Sequence, residues 1–404
     1  MRVLFIPLAA ASHYYPMVPL AWAFRAAGHE VRIAGQPAVT EPILRSGHLP
    51  VPVGGSFDLL TNLSKAEDNF RAETGRRLAD FKEFSEMPRE ALQRYVETRR
   101  GAHIRTAEAM AEDLVEFVES WRPDLVVTDL VTLVGPLVAE VAGAPLVLHS
   151  WGPQLPTTKL PGYDSELPPE LRALYERFGA EARTRPAVCV VDPCPPSLQS
   201  MEVPDQLVTR YVPYNGTGAT PDWLRRAPER PRVCLSWGIT HVGMSGMGEH
   251  PVRSIVDALR PHDVEIVITV RSADRAALGE LPDSVRIAEE LPLQIVLPTC
   301  SVALNHGGAG TILTAAAYGV PQVLLPQEQS DTFNSERVAA TGAGVSFQAH
   351  EADAETCAAA VAAMLSDDTW SKAAQALRDE NAAQPTAADV VGRIEESISS
   401  ARVN

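Results

Sequence analysis

Along most of the chain, short apolar runs alternate with longer segments that are apolar on one face and polar on the other. Residues 2–8 predict a buried strand. Residues 16–24 predict a helix whose prolines fall in the first turn, where no amide donor is lost, and Gly28 ends it. A strand at 30–34 and a helix at 39–45 follow. After a gap come a strand at 125–129, a helix at 133–142, and strands at 145–149 and 188–191. Parallel strands need crossover connections, so this alternation predicts an α/β domain with a doubly wound parallel sheet.

Between residues 55 and about 121 the rhythm changes to charged helix, with apolar positions at Phe70, Leu78, Phe81, Phe84, Leu92 and Tyr95. Two readings fit: a plain helical cover, or an insertion lying over the carboxyl edge of the sheet, where doubly wound domains bind ligands. Residues 150–169 are proline-rich and read as an irregular loop overhanging that edge.

A linker begins at Tyr211-Val212-Pro213-Tyr214-Asn215-Gly216-Thr217-Gly218-Ala219 and runs on through Pro221 and Pro228. The architecture then starts again. Residues 232–236 echo the first strand, and segments at 252–259, 265–270, 285–287, 302–305 and 322–325 repeat the alternation, before a last helix from 387 to about 399. The expected organisation is a first domain at 1–213, a linker at 214–230, a second domain at 231–385 and a terminal segment at 386–404. Two such domains in tandem imply a cleft between facing sheet edges.

Composition narrows the function. A chain of 404 residues suits two cores rather than one, and no window approaches the roughly 20 apolar residues of a membrane span. The apolar start lacks a separate basic region and a cleavage site, so it reads as a strand of a cytoplasmic protein. Five cysteines, an odd number, argue against a disulfide framework. Cys189 and Cys194 lack the second pair of ligands that zinc requires. A net charge of −16 opposes nucleic acid or an anionic membrane as partner. It also means that an anionic ligand must be held by local donors.

Such donors are offered by Asn305-His306-Gly307-Gly308-Ala309-Gly310-Thr311, between the strand ending at Asn305 and a helix predicted over 309–318 and closed by Gly319. Three glycines let backbone approach a ligand, and a helix N-terminus presents unpaired N–H groups to an anion. His306 and Thr311 flank the turn. The same residues also fit a glycine turn that only packs a helix onto a sheet. By contrast, the turn after the first strand, Ala9-Ala10-Ala11-Ser12-His13-Tyr14-Tyr15, has no glycine, which counts strongly against a dinucleotide fingerprint there. His13 lies just past the first strand and Asp129 ends another. A carboxylate behind an imidazole fixes its tautomer and suits it to take a proton from a hydroxyl; the plainer reading of Asp129 is a helix N-cap.

The segment 305–311, with Gly319-Val320-Pro321-Gln322 and Pro326-Gln327 through Asp331, resembles the donor motif of GT-B nucleotide-sugar glycosyltransferases, family 1, in the bacterial branch that decorates polyketide, enediyne and macrolide antibiotics. The resemblance spans nearly the whole chain, strongest over 232–344 and weakest over 55–101. It implies two Rossmann-like domains facing across a cleft, with the last helix returning to brace the first domain. It also implies an inverting hexosyltransferase reaction in which a sugar passes from a TDP- or UDP-sugar to an aglycone hydroxyl. His13 and Asp129 match the family's base dyad, although Ser12 stands where many members have glycine. His306, the N–H groups of Gly308, Ala309 and Gly310, and Thr311 would stabilise the departing diphosphate without a metal.

On the same resemblance, Ser236, Gly238 and Thr240 face the diphosphate and ribose, and Leu291 and Leu293 the base. Glu290 replaces a stacking tryptophan, which leaves thymine or uracil open. Glu328, Asp331 and Thr332 fall where sugar hydroxyls are recognised. Many hexose-using relatives have glutamine where Thr332 stands, so the shorter side chain points to a deoxyhexose. Tyr14, Tyr15 and Trp151 are expected to form an acceptor wall, with Phe57, Phe70, Phe84 and Tyr163 as further aromatics. No cofactor beyond the nucleotide sugar is implied, and a homodimer is compatible. A nucleotide-sugar epimerase and a non-catalytic sugar-nucleotide-binding partner protein are the competing readings.

Overall fold

The computed structural model describes residues 1–55, 57–81, 84–154, 167–182, 187–200, 205–238, 251–348 and 352–401. They build two sheets in which every recorded strand pairing is parallel. The first contains β1 (Arg2–Ile6), β2 (Glu30–Gly35), β3 (Pro50–Pro52), β4 (Leu125–Asp129), β5 (Leu146–His149), β6 (Ala187–Asp192) and β7 (Gln206–Val208), in the order β3-β2-β1-β4-β5-β6-β7. The second contains β8 (Arg232–Ser236), β9 (Glu265–Val270), β10 (Val285–Glu289), β11 (Val302–Asn305), β12 (Gln322–Leu324) and β13 (Gly344–Ser346), in the order β10-β9-β8-β11-β12-β13. Helices on both faces bury the central strands, which is why Val3–Ile6 of β1 and Leu125–Val127 of β4 read as continuous apolar runs rather than alternating ones.

β3, β7 and β13 were not expected from the pattern. Each has three residues and lies at a sheet edge, too short to display a period, and β3 carries prolines that only an edge tolerates. The helix expected at 16–24 begins instead at Val18, after a tighter turn over Tyr15–Met17. The terminal helix Ala387–Ala401 does return to the first domain. Val390, Val391, Ile394 and Ile398 are buried with Val18, Ala21 and Phe24. It starts with a reciprocal cap: the Thr386 amide donates to Asp389 Oδ2 at 2.8 Å and the Asp389 amide to Thr386 Oγ1 at 3.2 Å.

The charged stretch forms two helices, Leu59–Thr74 and Arg89–Trp121. Asp58 caps the first by accepting the Thr61 amide at 3.1 Å, and Gly75, in the left-handed region, ends it. The lower part of the long helix packs Ala107, Met110 and Leu114 against Leu4, Ile6 and Val126 of the sheet. Its upper part shares a separate apolar cluster with Phe70, Leu78 and Phe81, so those aromatics are core rather than ligand wall. From there the insertion reaches the second domain: Gln329 donates to the carbonyls of Leu78 (3.1 Å) and Phe81 (2.7 Å). It is therefore an arch over the cleft, which decides between the two readings of this stretch.

Candidate active site

In both sheets the strand order reverses between two neighbouring central strands, and each reversal opens a crevice at their carboxyl ends. In the first sheet these strands are β1 and β4, in the second β8 and β11. His13 follows β1 and Asp129 closes β4. Ser236 closes β8 opposite Asn305, the last residue of β11. The two crevices open into one cleft of about 1080 Å3. Its wall includes His13, Tyr15, Trp151, Ser236, Gly238, Leu291, Leu293, His306, Gly308, Ala309, Gly310, Thr311, Glu328 and Asp331.

On the first-domain side, His13 Nδ1 is 3.4 Å from Asp129 Oδ2. The Trp151 ring lies against the imidazole, with centroids 4.3 Å apart. Asp129 is fully engaged. Oδ2 also accepts the Leu8 amide at 2.8 Å, and Oδ1 accepts the amides of Val131 (2.9 Å) and Thr132 (2.8 Å) and the Thr132 hydroxyl (2.9 Å). Burial works against its ionisation, but His13 and these amides outweigh it and hold the carboxyl below its ordinary range. Asp129 is therefore not the N-cap of the next helix, Val134–Ala142, whose cap position, Leu133, has no side-chain cap; its carboxylate closes the turn over 129–132 and faces the histidine.

On the opposite side, the helix after β11 runs Ala309–Tyr318 and ends at Gly319 in the left-handed region, as expected. Gly307, at φ +87°, makes the tight turn. A Cβ there would stand 2.8 Å from the Asp331 carbonyl, and its amide is already given to Asn305 Oδ1 at 2.8 Å. Gly307 therefore does not line the cleft, and its expected contact with the donor is replaced by a packing role. The amides of Gly308, Ala309 and Gly310 have no acceptor among the described residues, whereas the Thr311 amide bonds the Gly308 carbonyl at 2.9 Å. These three N–H groups sit at a helix N-terminus that opens on the cleft.

The imidazole of His306 is wedged between two glycines. A Cβ on Gly238, itself at φ +70°, would lie 2.5 Å from His306 Cε1, and one on Gly308 would lie 2.3 Å from Nε2. The segment Ser236-Trp237-Gly238 thereby gains a physical reason: glycine is needed where the chain leaving β8 passes the histidine that follows β11.

Three further expectations fare differently. Tyr14 is 0 % exposed, with its hydroxyl 2.5 Å from Ser46 Oγ and 3.2 Å from His48 Nδ1, so it faces the core and not an acceptor. Its place in the register, one residue beyond His13 on the turn Ala11–Tyr14, turns it to the opposite side. Thr332 is also buried. Its hydroxyl donates to the Glu328 carbonyl at 3.1 Å within its own helix, which keeps it off the cleft wall. Asp331 does line the cleft, from inside the first turn of helix Gln329–Ala340, where it accepts the Gln327 amide at 3.4 Å. Phe57 and Phe70 are absent from the wall and Phe84 belongs to it, while Thr240 and Tyr163 lie outside the described residues.

The wall also holds residues that sequence reasoning passed over. Tyr95, Arg99 and His103 are spaced four apart on the long helix and so share one face, which points into the cleft. That spacing was a readable signal inside a stretch treated as cover. Burial, then the charges of Arg99 and His13, lower His103 to about 4, so it is neutral near pH 7. Glu290 adopts φ +50° and accepts the Ser272 amide at 2.8 Å. Gln294 ties the linker to this region, accepting the Asn215 amide at 2.7 Å and donating to the Gly216 carbonyl at 2.8 Å.

Among the described residues no cluster of His, Cys, Asp or Glu is arranged to hold a metal ion, and no helix is long and apolar enough to cross a membrane. All five cysteines are free.

Comparison with known proteins accounts for this arrangement. Residues 22–238 match the family model "Erythromycin biosynthesis protein CIII-like, N-terminal domain", and residues 253–397 match the corresponding C-terminal domain. The chain is 34% identical to the 3-alpha-mycarosylerythronolide B desosaminyl transferase of Saccharopolyspora erythraea, over 98% of both chains. It is 35% identical to the 10-deoxymethynolide desosaminyltransferase of Streptomyces venezuelae, over 98% of this chain and 96% of that one. Among solved structures, the spinosyn rhamnosyltransferase SpnG superposes with a TM-score of 0.80 at 31% identity, over 98% of this chain and 100% of that one. SpnG has also been solved with thymidine diphosphate and with the spinosyn aglycone. With two family domains matched in order, and two parallel α/β domains meeting at their switch points, the chain belongs to the erythromycin biosynthesis protein CIII-like family and is a glycosyltransferase of GT-B fold.

Proposed function

We propose that this enzyme transfers a deoxyhexose from its thymidine diphosphate ester to a hydroxyl of a polyketide-type aglycone, with inversion at the anomeric carbon. The observation that carries the reading is the pairing of His13 with Asp129 on the wall of the cleft that also holds the free amides of Gly308, Ala309 and Gly310. With Nδ1 turned to Asp129, the imidazole keeps its proton there and offers Nε2 to the acceptor. As the acceptor oxygen bonds to the anomeric carbon, its proton passes to His13 and the sugar–phosphate bond breaks on the far side. The electron pair of that bond leaves on the diphosphate. Those amides, His306 and Thr311 meet the growing charge, and Asp129 stabilises the imidazolium. At 3.4 Å the dyad contact is long for a hydrogen bond, as is common before substrate arrives.

Asp331 and Glu328 would hold the sugar, Leu291 and Leu293 the base, and Tyr15 and Trp151 one side of the acceptor. Thymidine diphosphate in a structure of SpnG and the desosaminyl and rhamnosyl names of the relatives favour this nucleotide and this sugar class. Incubating the enzyme with a panel of TDP- and UDP-sugars and macrolide and anthracycline aglycones tests the proposal. Mass spectrometry should find deoxyhexosyl adducts, and the anomeric coupling in the product should be opposite to that of the donor. A clear preference for UDP-glucose, or retention of configuration, overturns it.

A further inference from the structure

Two adjacent residues join the histidine on one side of the cleft to the amides on the other. β4 and β5 pair with Asp129 beside His149, so the chain leaving β5 emerges next to the dyad. Trp151, half-buried on the cleft wall, sets its ring against His13 with centroids 4.3 Å apart and planes inclined by 42°. Asp129 faces Nδ1 and the indole backs the ring. A proton taken from an acceptor turns that ring into a cation, and an indole within about 6 Å attracts a cation over its face.

The next residue reaches the second domain. Gly152 is buried against Ala309, the first residue of the helix whose N-terminus opens on the cleft. A Cβ on Gly152 would stand 2.5 Å from Ala309 Cβ, 3.5 Å from its Cα and 3.6 Å from Leu313 Cδ1. Gly152 is not among the residues at positive φ, so its backbone does not ask for glycine; the space does. The segment is also firmly mounted. The Ser150 amide bonds the Val191 carbonyl at 2.8 Å, and the Gly152 carbonyl accepts from the Ser150 hydroxyl at 2.7 Å and from Gln154 Nε2 at 2.8 Å. The Gln154 amide in turn donates to Ser200 Oγ at 2.7 Å. A fixed segment that touches His13 with one residue and the amide cradle with the next sets the distance between them, and displacement at a carbon held between the two is steep in that distance.

We propose that Trp151 is a positioning residue for His13, and that Trp151 and Gly152 together form the spacer that sets the gap between the base and the diphosphate. The inference rests on the roles given above to His13 and to the amides, and the test separates the two. Rates on the full chain are read at saturating acceptor, with the TDP-sugar and aglycone that give an adduct in the panel above, and TDP affinity by calorimetry. Trp151→Leu should lower kcat about ten- to a hundredfold with TDP affinity unchanged, whereas Trp151→Phe, which keeps a ring face, should stay within about threefold of the parent. Gly152→Ala should lose rate similarly. Adding Ala309→Gly to it should recover most of the loss, because that removes the atom the new methyl strikes. Melting curves show that each variant is folded; should one substitution prevent folding, the other site decides. A Trp151→Leu enzyme that keeps kcat and only raises the acceptor KM has lost a plain acceptor wall, which overturns the proposal. A Gly152→Ala loss that Ala309→Gly leaves untouched overturns it too. In both cases the transferase reading stands as long as His13→Ala is slow. If His13→Ala keeps its rate, or the parent glycosylates no aglycone, that reading falls and this inference with it.

Discussion

Asp129 holds His13 with one carboxylate oxygen and the start of the next chain segment with the other. Oδ2 faces His13 Nδ1 at 3.4 Å, and Oδ1 takes the amides of Val131 and Thr132. The dyad is therefore anchored to the switch point of the first sheet by main-chain bonds. His13→Ala should lower kcat by about a hundred- to ten-thousand-fold, the range of a lost general base, with TDP affinity retained. Asp129→Asn should lose rate in the same way, because the amide no longer fixes the tautomer. Asp129→Ala should also lower stability by about 1–3 kcal/mol, since it leaves buried amides without an acceptor. Single-turnover rates, calorimetry and denaturant melts distinguish these effects.

The glycines of the cradle should separate into two classes. A Cβ on Gly308 would overlap His306 Nε2, so Gly308→Ala must displace the imidazole and should weaken both folding and donor binding. A Cβ on Gly310 meets nothing within 4 Å and faces the cleft. Gly310→Ala should therefore raise stability by about 0.5–1 kcal/mol through helix propensity while reducing TDP affinity. Thermal melts and calorimetry on the two variants check the contrast. Equal losses of stability would refute it.

Burial holds His149 at about 4, below the ordinary 6.5 of the unfolded chain. Between these values the unfolded state binds a proton that the folded state refuses. The contribution is therefore whole above about pH 6.5 and falls as the solution is acidified towards 4. Glu67, held at about 8, acts with the opposite sign, since its folded form keeps a proton that the unfolded form has released. The clean measurement is thus a difference between variant and parent. His149→Gln should remove a slope of up to about 1.4 kcal/mol per pH unit in that window. Urea melts at several pH values read it directly.

At the opposite edge of the second sheet, Arg232, 1 % exposed, lies 3.2 Å from Glu265 Oε2, with Arg286 Nε 2.5 Å from Oε1. Trp223 covers both guanidinium groups. Glu265→Ala leaves a buried cation unpaired and should cost about 3–5 kcal/mol. Because the pair is remote from the β8/β11 crevice, TDP affinity in the folded variant should match the parent. Chemical denaturation and calorimetry test both halves of the statement.

The glycine segment was legible because its requirements are local. A turn at φ +87° and free amides at a helix start can be read from residue types alone, and Asn305 through Gly319 behaves as its composition implies except at Gly307, which packs instead of lining the cleft. His13 and Asp129 could be suggested as a pair because one follows a strand and the other ends one, and strand ends share an edge. Tyr14 and Thr332 could not be judged in this way. Each is next in sequence to a residue that does line the cleft, and a rotation of one position on a helix is enough to turn the side chain into the core.

The sequence by itself determined the alternation of strands and helices, the glycine turn at a helix start and the duplication of the domain, since all of these depend on short-range periodicity and backbone freedom. Only the tertiary structure decided which side of the cleft each candidate faces. It also brought Glu67 and Arg99 of the arch to Glu328 and Asp331, more than two hundred residues away in the chain. Charges that meet across two domains leave no periodic trace in the chain, because their pairing is set by how the arch docks and not by anything adjacent to them.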